Sequence, residues 1–160
     1  EPKPLLFKST EEDEKIEWIA ERILEIYHAY GSSFIPSIAI FLPNNESVEA
    51  FAESLADIDE LADVGIKVRA SRDGQVLGDS NMVRVFPIDY IKGMEFEAVF
   101  FHNMHLLSNQ YSNAEMVLKN LYVGLSRATF YMAVTSQEGM PEFSYLDDLF
   151  ETNHLSWKRK

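Results

Sequence analysis

Apolar and polar residues along the chain switch between a helical and a strand-like period, and these switches predict alternating helices and strands. The first helical pattern follows Ser9 and Glu12, which have the spacing of a capping box, and it ends at Gly31. Its apolar residues fall on one face: Ile16, Ile19, Ala20, Ile23, Leu24 and Tyr27. Asn45 is predicted to cap a second helix. The inner face of that helix holds Val48, Phe51, Ala52 and Leu55.

Five short apolar runs have the character of strands. The run SIAIFL is uninterrupted after its serine, which is typical of a strand covered on both faces in a parallel sheet. The runs are SIAIFL (37–42), IKVRA (66–70), MVRVFPI (82–88), EAVFF (97–101) and YMAVTS (131–136). Asn113 can cap a helix carrying Val117, Leu118, Leu121, Tyr122 and Leu125, and Ser144 with Asp147 can open a last short one. This order predicts a doubly wound α/β fold with a mainly parallel sheet, whose ligands bind at the carboxyl ends of the strands.

Composition limits the class of protein. A chain of 160 residues suits one domain with a real core. No apolar run is long enough for a membrane span, so we expect no membrane partner. Without cysteine there can be no disulfide or zinc–thiolate site, which fits a reducing cytoplasm. Because the chain starts at Glu1 rather than methionine, we expect it to be part of a longer protein.

The net charge of −12 bears on nucleic-acid binding. A free-standing DNA-binding domain usually has a basic face, and this chain has few cations to build one. Any contact with nucleic acid should therefore be local, and the chain alone should bind single-stranded DNA weakly.

Two short stretches concentrate charge beside apolar runs. In LYVGLSRAT (121–129), Arg127 interrupts an apolar run, and its permanently charged guanidinium has five donors that need partners. In IKGMEFEAVFF (91–101), Lys92 and Gly93 precede Glu95, and glycine permits close approach of a ligand to the backbone. A carboxylate and two cations at neighbouring loop ends predict a site for phosphate and sugar.

At these stretches the chain resembles a known family. KGMEFEAVFF is similar to motif V of the UvrD/Rep-type superfamily I DNA helicases, usually written K-G-L-E-F-(D/E)-x-V. LYVGLSRA is similar to their motif VI, Y-V-(A/G)-x-(T/S)-R-A. The order and separation match too, and EEDEKIEWIAERI followed by SIAIFLPNN occupies the place of motif IV. The resemblance implies that residues 1–160 form one RecA-like domain, the second of such a helicase, with motif IV at 38–45, motif V at 91–101 and motif VI at 121–128.

The resemblance also implies roles for particular residues. ATP with Mg²⁺ would bind between this domain and an N-terminal RecA-like domain of the same parent chain, which would hold the metal ligands. Arg127 matches the arginine finger that reaches the γ-phosphate. Glu95 matches the carboxylate that contacts the ribose, and Gly93 lies in the same nucleotide-binding loop. The positions placed beside single-stranded DNA are Lys92, Asp89 and Ser126. The activity implied is ATP-driven movement along DNA, from 3′ to 5′.

The chain departs from the family pattern at three places. Leu42 and Pro43 stand where family members often carry an aromatic–arginine pair, and Pro87 and Asp89 replace the threonine and histidine of a Thr-x-His motif. Only 46 residues separate Asn45 from Lys92, too few for the large inserted accessory domain. No G-x-x-x-x-G-K-(S/T) loop occurs, so the chain alone should not hydrolyse ATP.

Other motifs have plainer interpretations. IDEL (58–61) has the letters of a Walker B pair, but no buried strand leads into it, so we expect an exposed helix end or loop. The two histidines of HNMH (102–105) have no matching carboxylate motif, and we expect no metal site there. We expect Phe100, Phe101, Tyr122 and Leu125 to be core. Two function classes stay open: part of an ATP-dependent helicase, and a degenerate, non-catalytic module for protein–protein interaction, which the negative charge favours.

Overall fold

A computed structural model describes residues 5–71, 81–90, 95–109, 111–114, 116–117, 120 and 129–137. The strands are β1 (Leu5–Lys8), β2 (Ile38–Leu42), β3 (Lys67–Ala70), β4 (Met82–Pro87), β5 (Ala98–Phe101) and β6 (Tyr131–Ser136). The helices are α1 (Glu12–Ala29), α2 (Val48–Ala56) and α3 (Asp59–Asp63). Short 3₁₀ helices follow β4 at Ile88–Tyr90 and β5 at Met104–Asn109.

The six strands of the described residues form one sheet in the order β1-β6-β5-β2-β4-β3, and every neighbouring pair is parallel. β2 lies in the middle, where Ile38 pairs with Val83 of β4 on one side and Ala98 of β5 on the other. All residues of β2 and β5 are buried, as their uninterrupted apolar character predicts. The predicted α/β fold with a mainly parallel sheet is therefore confirmed.

The sheet is covered on both faces. One face, here called the helical face, packs against α1, α2 and α3 through a large apolar core. The other, here called the opposite face, has a core made largely of aromatic and methionine side chains: Phe41, Phe86, Phe96, Phe101, Met104 and Met132. The described ends of the connection from β4 to β5 supply Ile88 and Phe96 to this second core.

Strand β1 was not predicted. Its sequence is only four residues long and ends in lysine, so it has little strand character of its own. It forms because Leu5 and Leu6 pair with Ala133 and Val134 of β6, far along the chain. A contact between such distant residues leaves no local pattern in the sequence.

The predicted cap of α1 was wrong. The residue before the helix is Glu11, and Ser9 accepts a hydrogen bond from the backbone N–H of Glu11 at 3.0 Å. The Ser9 hydroxyl donates to Glu14 at 2.7 Å rather than joining Glu12 in a capping box. Glu12 is drawn away because its carboxylate reaches His102 at the end of β5.

The predicted cap of α2 was also misplaced. Ser47 precedes the helix, and its N–H donates to the side chain of Asn44, not Asn45, at 3.0 Å. The inner face was predicted correctly, since Val48, Phe51, Ala52 and Leu55 are all buried.

Two further predictions concern helices. The segment 58–61 belongs largely to α3, in which Asp59 and Glu60 are exposed, as expected. A helix does begin after Asn113, whose carbonyl accepts from the N–H of Val117 at 3.1 Å. Its continuation through 121–125 and the helix predicted after Ser144 lie outside the described residues. Within the described part of the chain, no helix has the length and apolar character needed to cross a bilayer.

Candidate functional site

The structure describes two of the six predicted site residues. Arg127, Ser126, Lys92 and Gly93 lie outside the described residues, and their roles stay predictions. Glu95 and Asp89 both lie on the connection between β4 and β5.

Glu95 is exposed beside a deeply buried neighbour. Phe96 is 4% exposed, and its ring lies 5.6 Å from that of Phe86 and 6.3 Å from that of Phe41. Anchoring Phe96 in the core of the opposite face keeps Glu95 at the surface of the connection. An exposed carboxylate of this kind can accept hydrogen bonds from the hydroxyls of a sugar.

The start of β5 is fixed by reciprocal hydrogen bonds. The N–H of Glu97 donates to the Ser37 hydroxyl at 3.0 Å, and the N–H of Ser37 donates to the Glu97 carboxylate at 3.3 Å. The N–H of Phe130 donates to the Glu97 carbonyl at 3.0 Å. This bond continues the parallel pairing of β5 with β6 and joins the start of β5 to the segment that precedes β6.

Asp89 has a partner within the domain. It is exposed in the 3₁₀ helix that follows β4, and its Oδ1 accepts from the Tyr111 hydroxyl at 3.0 Å. This hydrogen bond, together with partial burial and the negative charge of Asp89, raises the pKa of Tyr111. Asp89 thus ties the carboxyl end of β4 to the segment after the second 3₁₀ helix.

A polar network that the sequence did not predict lies at the carboxyl ends of β5 and β6, where α1 begins. His102 is fully buried; its Nε2 lies 2.8 Å from Glu12 and its Nδ1 lies 2.7 Å from the hydroxyl of Thr135. The backbone N–H of Asn103 donates to that hydroxyl at 2.9 Å, and its side chain donates to Glu12 at 3.0 Å. Lys15, which is also buried, donates to Asn103 at 2.6 Å.

The protonation states in this network follow from burial and charge. Burial alone would raise the pKa of Glu12, but its hydrogen bonds with His102 and Asn103 and the charge of Lys15 lower it to about 2. Burial lowers the pKa of His102. We therefore assign a neutral His102 that donates from Nε2 to ionised Glu12 and accepts at Nδ1 from Thr135.

A carboxylate, an imidazole and a hydroxyl joined in this order also occur in enzymes with a serine or threonine nucleophile. Here the imidazole and the hydroxyl are too deeply buried for that chemistry. Thr135 is 1% exposed and His102 is 0% exposed, so a substrate cannot reach either group. The network instead fastens the first turn of α1 to two central strands. Of the described residues, no group of three or more His, Asp or Glu side chains is placed to hold a metal ion.

Comparison with known proteins gives one kind of match. No protein-family model matches the chain, and no curated protein matches it. Among solved structures, the chain is similar to the C-terminal domain of a possible DNA helicase from Lactobacillus plantarum WCFS1. The TM-score is 0.68 at 18% sequence identity, and the match covers 94% of this chain and 85% of that one. At this identity the likeness shows the fold, an α/β arrangement like that of a RecA-like domain.

Proposed function

We propose that the chain is the C-terminal motor domain of an ATP-dependent DNA helicase or translocase. The observation that carries the proposal is the occurrence of the motif V and motif VI sequences, in order, on an all-parallel RecA-like sheet. The hydrogen bond between Phe130 and Glu97, which joins the segments that bear these motifs, supports it. The likeness in fold to the C-terminal domain of a possible DNA helicase supports it as well.

In this proposal the chain supplies part of the site for ATP. The exposed carboxylate of Glu95 accepts hydrogen bonds from the ribose, and Gly93 lets the nucleotide approach the backbone. Arg127 reaches the γ-phosphate and neutralises the charge that develops on the phosphoryl oxygens during hydrolysis. The remaining phosphate contacts and the ligands of Mg²⁺ belong to the N-terminal RecA-like domain of the parent chain.

The proposed contact with single-stranded DNA involves Lys92, Ser126 and Asp89. Asp89 is an acid where the family carries a histidine, and it already accepts a hydrogen bond from Tyr111. A carboxylate repels phosphate, so its part in this contact is to position the loop after β4 rather than to bind the DNA backbone itself.

The replacement of family residues on this side of the sheet favours a second candidate, a non-catalytic module for protein–protein interaction. Pro87 and Asp89 remove the threonine and histidine of the family pattern, and Pro87 lies within β4, paired with Leu42. The sequence upstream in the parent chain separates the two candidates. A phosphate-binding loop and a D-E-x-Q box support the motor, whereas their absence supports the module.

DNA-stimulated ATP hydrolysis by the intact parent protein tests the proposal. We expect Glu95→Gln to raise the KM for ATP roughly fivefold, because a hydrogen bond from the ribose to a charged carboxylate is stronger than one to a neutral amide by about 1 kcal/mol. Glu60→Gln is the matched control, an exposed glutamate of α3 on the helical face, and it should leave KM unchanged. A parent protein without DNA-stimulated hydrolysis would contradict the proposal and favour the interaction module.

A further inference from the structure

The negative charge of the chain is confined to one layer of the fold. Residues 9–66, which contain α1, α2 and α3, hold 14 of the 26 acidic residues and two of the 14 basic ones. The net charge of −12 therefore lies entirely in this segment, and the rest of the chain has no net charge. Its two basic side chains, Lys15 and Arg22, are buried. The net charge of this segment repels a polyanion from the helical face.

Three cationic side chains lie together on the opposite face, at the β3 edge of the sheet. Side chains alternate along a strand, so the residues between those that pack against the helices point to the other face. The residues of β3 and β4 that pack in the helical-face core are Val68, Ala70, Val83 and Val85. The side chains of Lys67, Arg69 and Arg84 therefore share the opposite face, and we call these three residues the basic strip.

Two members of the basic strip are direct neighbours. Arg69 pairs with Arg84 across β3 and β4, so their backbones are about 4.8 Å apart. Among the described residues, no carboxylate forms an ion pair or a hydrogen bond with the basic strip. Like charges directly opposite each other are destabilising, and a bound anion would remove that repulsion.

The geometry of the basic strip suits a linear polyanion. Lys67 and Arg69 are exposed and two residues apart on one strand, which separates them by roughly 7 Å. That distance is comparable to the spacing of successive phosphates along a single nucleic-acid strand. Arg69 is exposed, and its guanidinium can bind phosphate oxygens in a bidentate manner, whereas Arg84 beside it is buried, at 9% exposure, and adds positive charge without a direct contact.

We propose that the basic strip binds the phosphate backbone of a single-stranded nucleic acid, without reading its sequence. This contact lies on the opposite face, at the β3 edge of the sheet, and would add to the contacts proposed for Lys92, Ser126 and Asp89. An acidic protein segment is also a linear polyanion, and the choice of nucleic acid rests on the proposed function.

Fluorescence anisotropy of a labelled oligothymidylate with the 160-residue chain tests this proposal. Two phosphate contacts, by the exposed Lys67 and Arg69, predict a slope of about −1.4 for the logarithm of the binding constant against the logarithm of salt. Lys67→Gln with Arg69→Gln should weaken binding roughly tenfold at about 50 mM salt and bring the slope close to zero. Both side chains are exposed, so the melting temperature should not change. The matched control, Lys158→Gln with Arg159→Gln, removes the same charge from the tail and should change affinity less than about twofold.

Three results would overturn the proposal. One is an equal loss of affinity for the oligothymidylate in both double variants, which would indicate a general effect of net charge. Another is the absence of binding to the unmodified chain at low salt. The third is displacement of the oligothymidylate by polyglutamate at equal charge concentration, which points to an acidic protein segment. This test can be distinguished from the test of the proposed function. If the strip variant loses DNA binding but Arg127→Ala does not change ATP turnover by the parent protein, the basic strip is supported and the motor function is refuted.

Discussion

Replacing Glu12 with glutamine tests whether the polar network fastens α1 to the sheet. The substitution keeps the shape of the side chain and an acceptor for the Nε2–H of His102, but it removes the charge. Glu12 accepts from His102 and Asn103 and lies 3.5 Å from the ammonium of Lys15. All three interactions should weaken in the variant, and α1 should hold less firmly to β5 and β6.

The size of the effect follows from the pKa of Glu12. Lowering that pKa from 4.5 to about 2 corresponds to about 3 kcal/mol if the whole shift reflected stabilisation of the fold. The side chain is 49% exposed, so solvent screens the interactions. We therefore expect Glu12→Gln to lower the free energy of unfolding at pH 7 by about 1.5 kcal/mol, or roughly 3–6 °C in melting temperature.

The dependence on pH gives a second, sharper result. A carboxylate whose pKa is lowered in the folded state stabilises the fold fully above its unfolded pKa of 4.5, and this contribution is lost as the pH falls towards about 2. The difference in stability between the unmodified chain and Glu12→Gln should therefore stay constant from pH 7 to about 5 and shrink below 4.5. The pKa of His102 is lowered mainly by burial, which is present in both proteins, so the stability of both falls with falling pH, and more in Glu12→Gln, which lacks the opposing charge of Glu12.

Urea unfolding of both proteins between pH 3 and pH 7, followed by circular dichroism, measures this difference. Asp13→Asn is the matched control, because Asp13 lies in the same first turn of α1 and is exposed. It should lose only the interaction with the helix dipole, about 0.5 kcal/mol. If Glu12→Gln is no less stable than Asp13→Asn at any pH, the network does not fasten α1 and the reasoning is refuted.

Three further predictions concern other parts of the described chain. Phe41→Ala should lower the free energy of unfolding by about 3–5 kcal/mol, because Phe41 is fully buried. The control Phe34→Ala should lower it by under about 1 kcal/mol, because Phe34 is 50% exposed. Equal effects of the two substitutions in chemical unfolding would contradict the packing of the opposite face. Asp89→Asn should lower the raised pKa of Tyr111, which an ultraviolet titration measures, and an unchanged titration would show that the hydrogen bond does not form. His105 should titrate near pH 4 by NMR, since burial first, and then the charge of nearby cations, lowers its pKa; a midpoint near 6.5 would contradict its burial.

Much of the sheet could be predicted from local pattern, and the reason is physical. The residues 38–42 are apolar without interruption, and only a strand covered on both faces can bury them all. The same reasoning placed β3, β4, β5 and β6 within a residue or so. β1 could not be found, because its pairing with β6 supplies the stabilisation that its own four residues lack.

In the candidate site, too, only the features with a local sequence pattern could be predicted. The exposed position of Glu95 could be predicted, because the apolar Phe96 beside it marks the buried side of the connection. The polar network could not, because Glu12 and His102 are 90 residues apart and neither belongs to a recognisable motif with the other. The basic strip is intermediate: alternation in IKVRA shows that Lys67 and Arg69 share a face, but only the register of the sheet adds Arg84.

ATP turnover by the intact parent protein carrying Arg127→Ala tests the central claim most directly. We expect turnover to fall roughly a hundredfold or more, since arginine fingers commonly contribute that much, and Arg127→Lys should restore little of it. The melting temperature of the 160-residue chain with the same substitution should be nearly unchanged, because a side chain aimed at an interdomain cleft has few partners in its own domain. A destabilised chain together with a normally active parent protein would contradict the assignment of Arg127 and, with it, the motor.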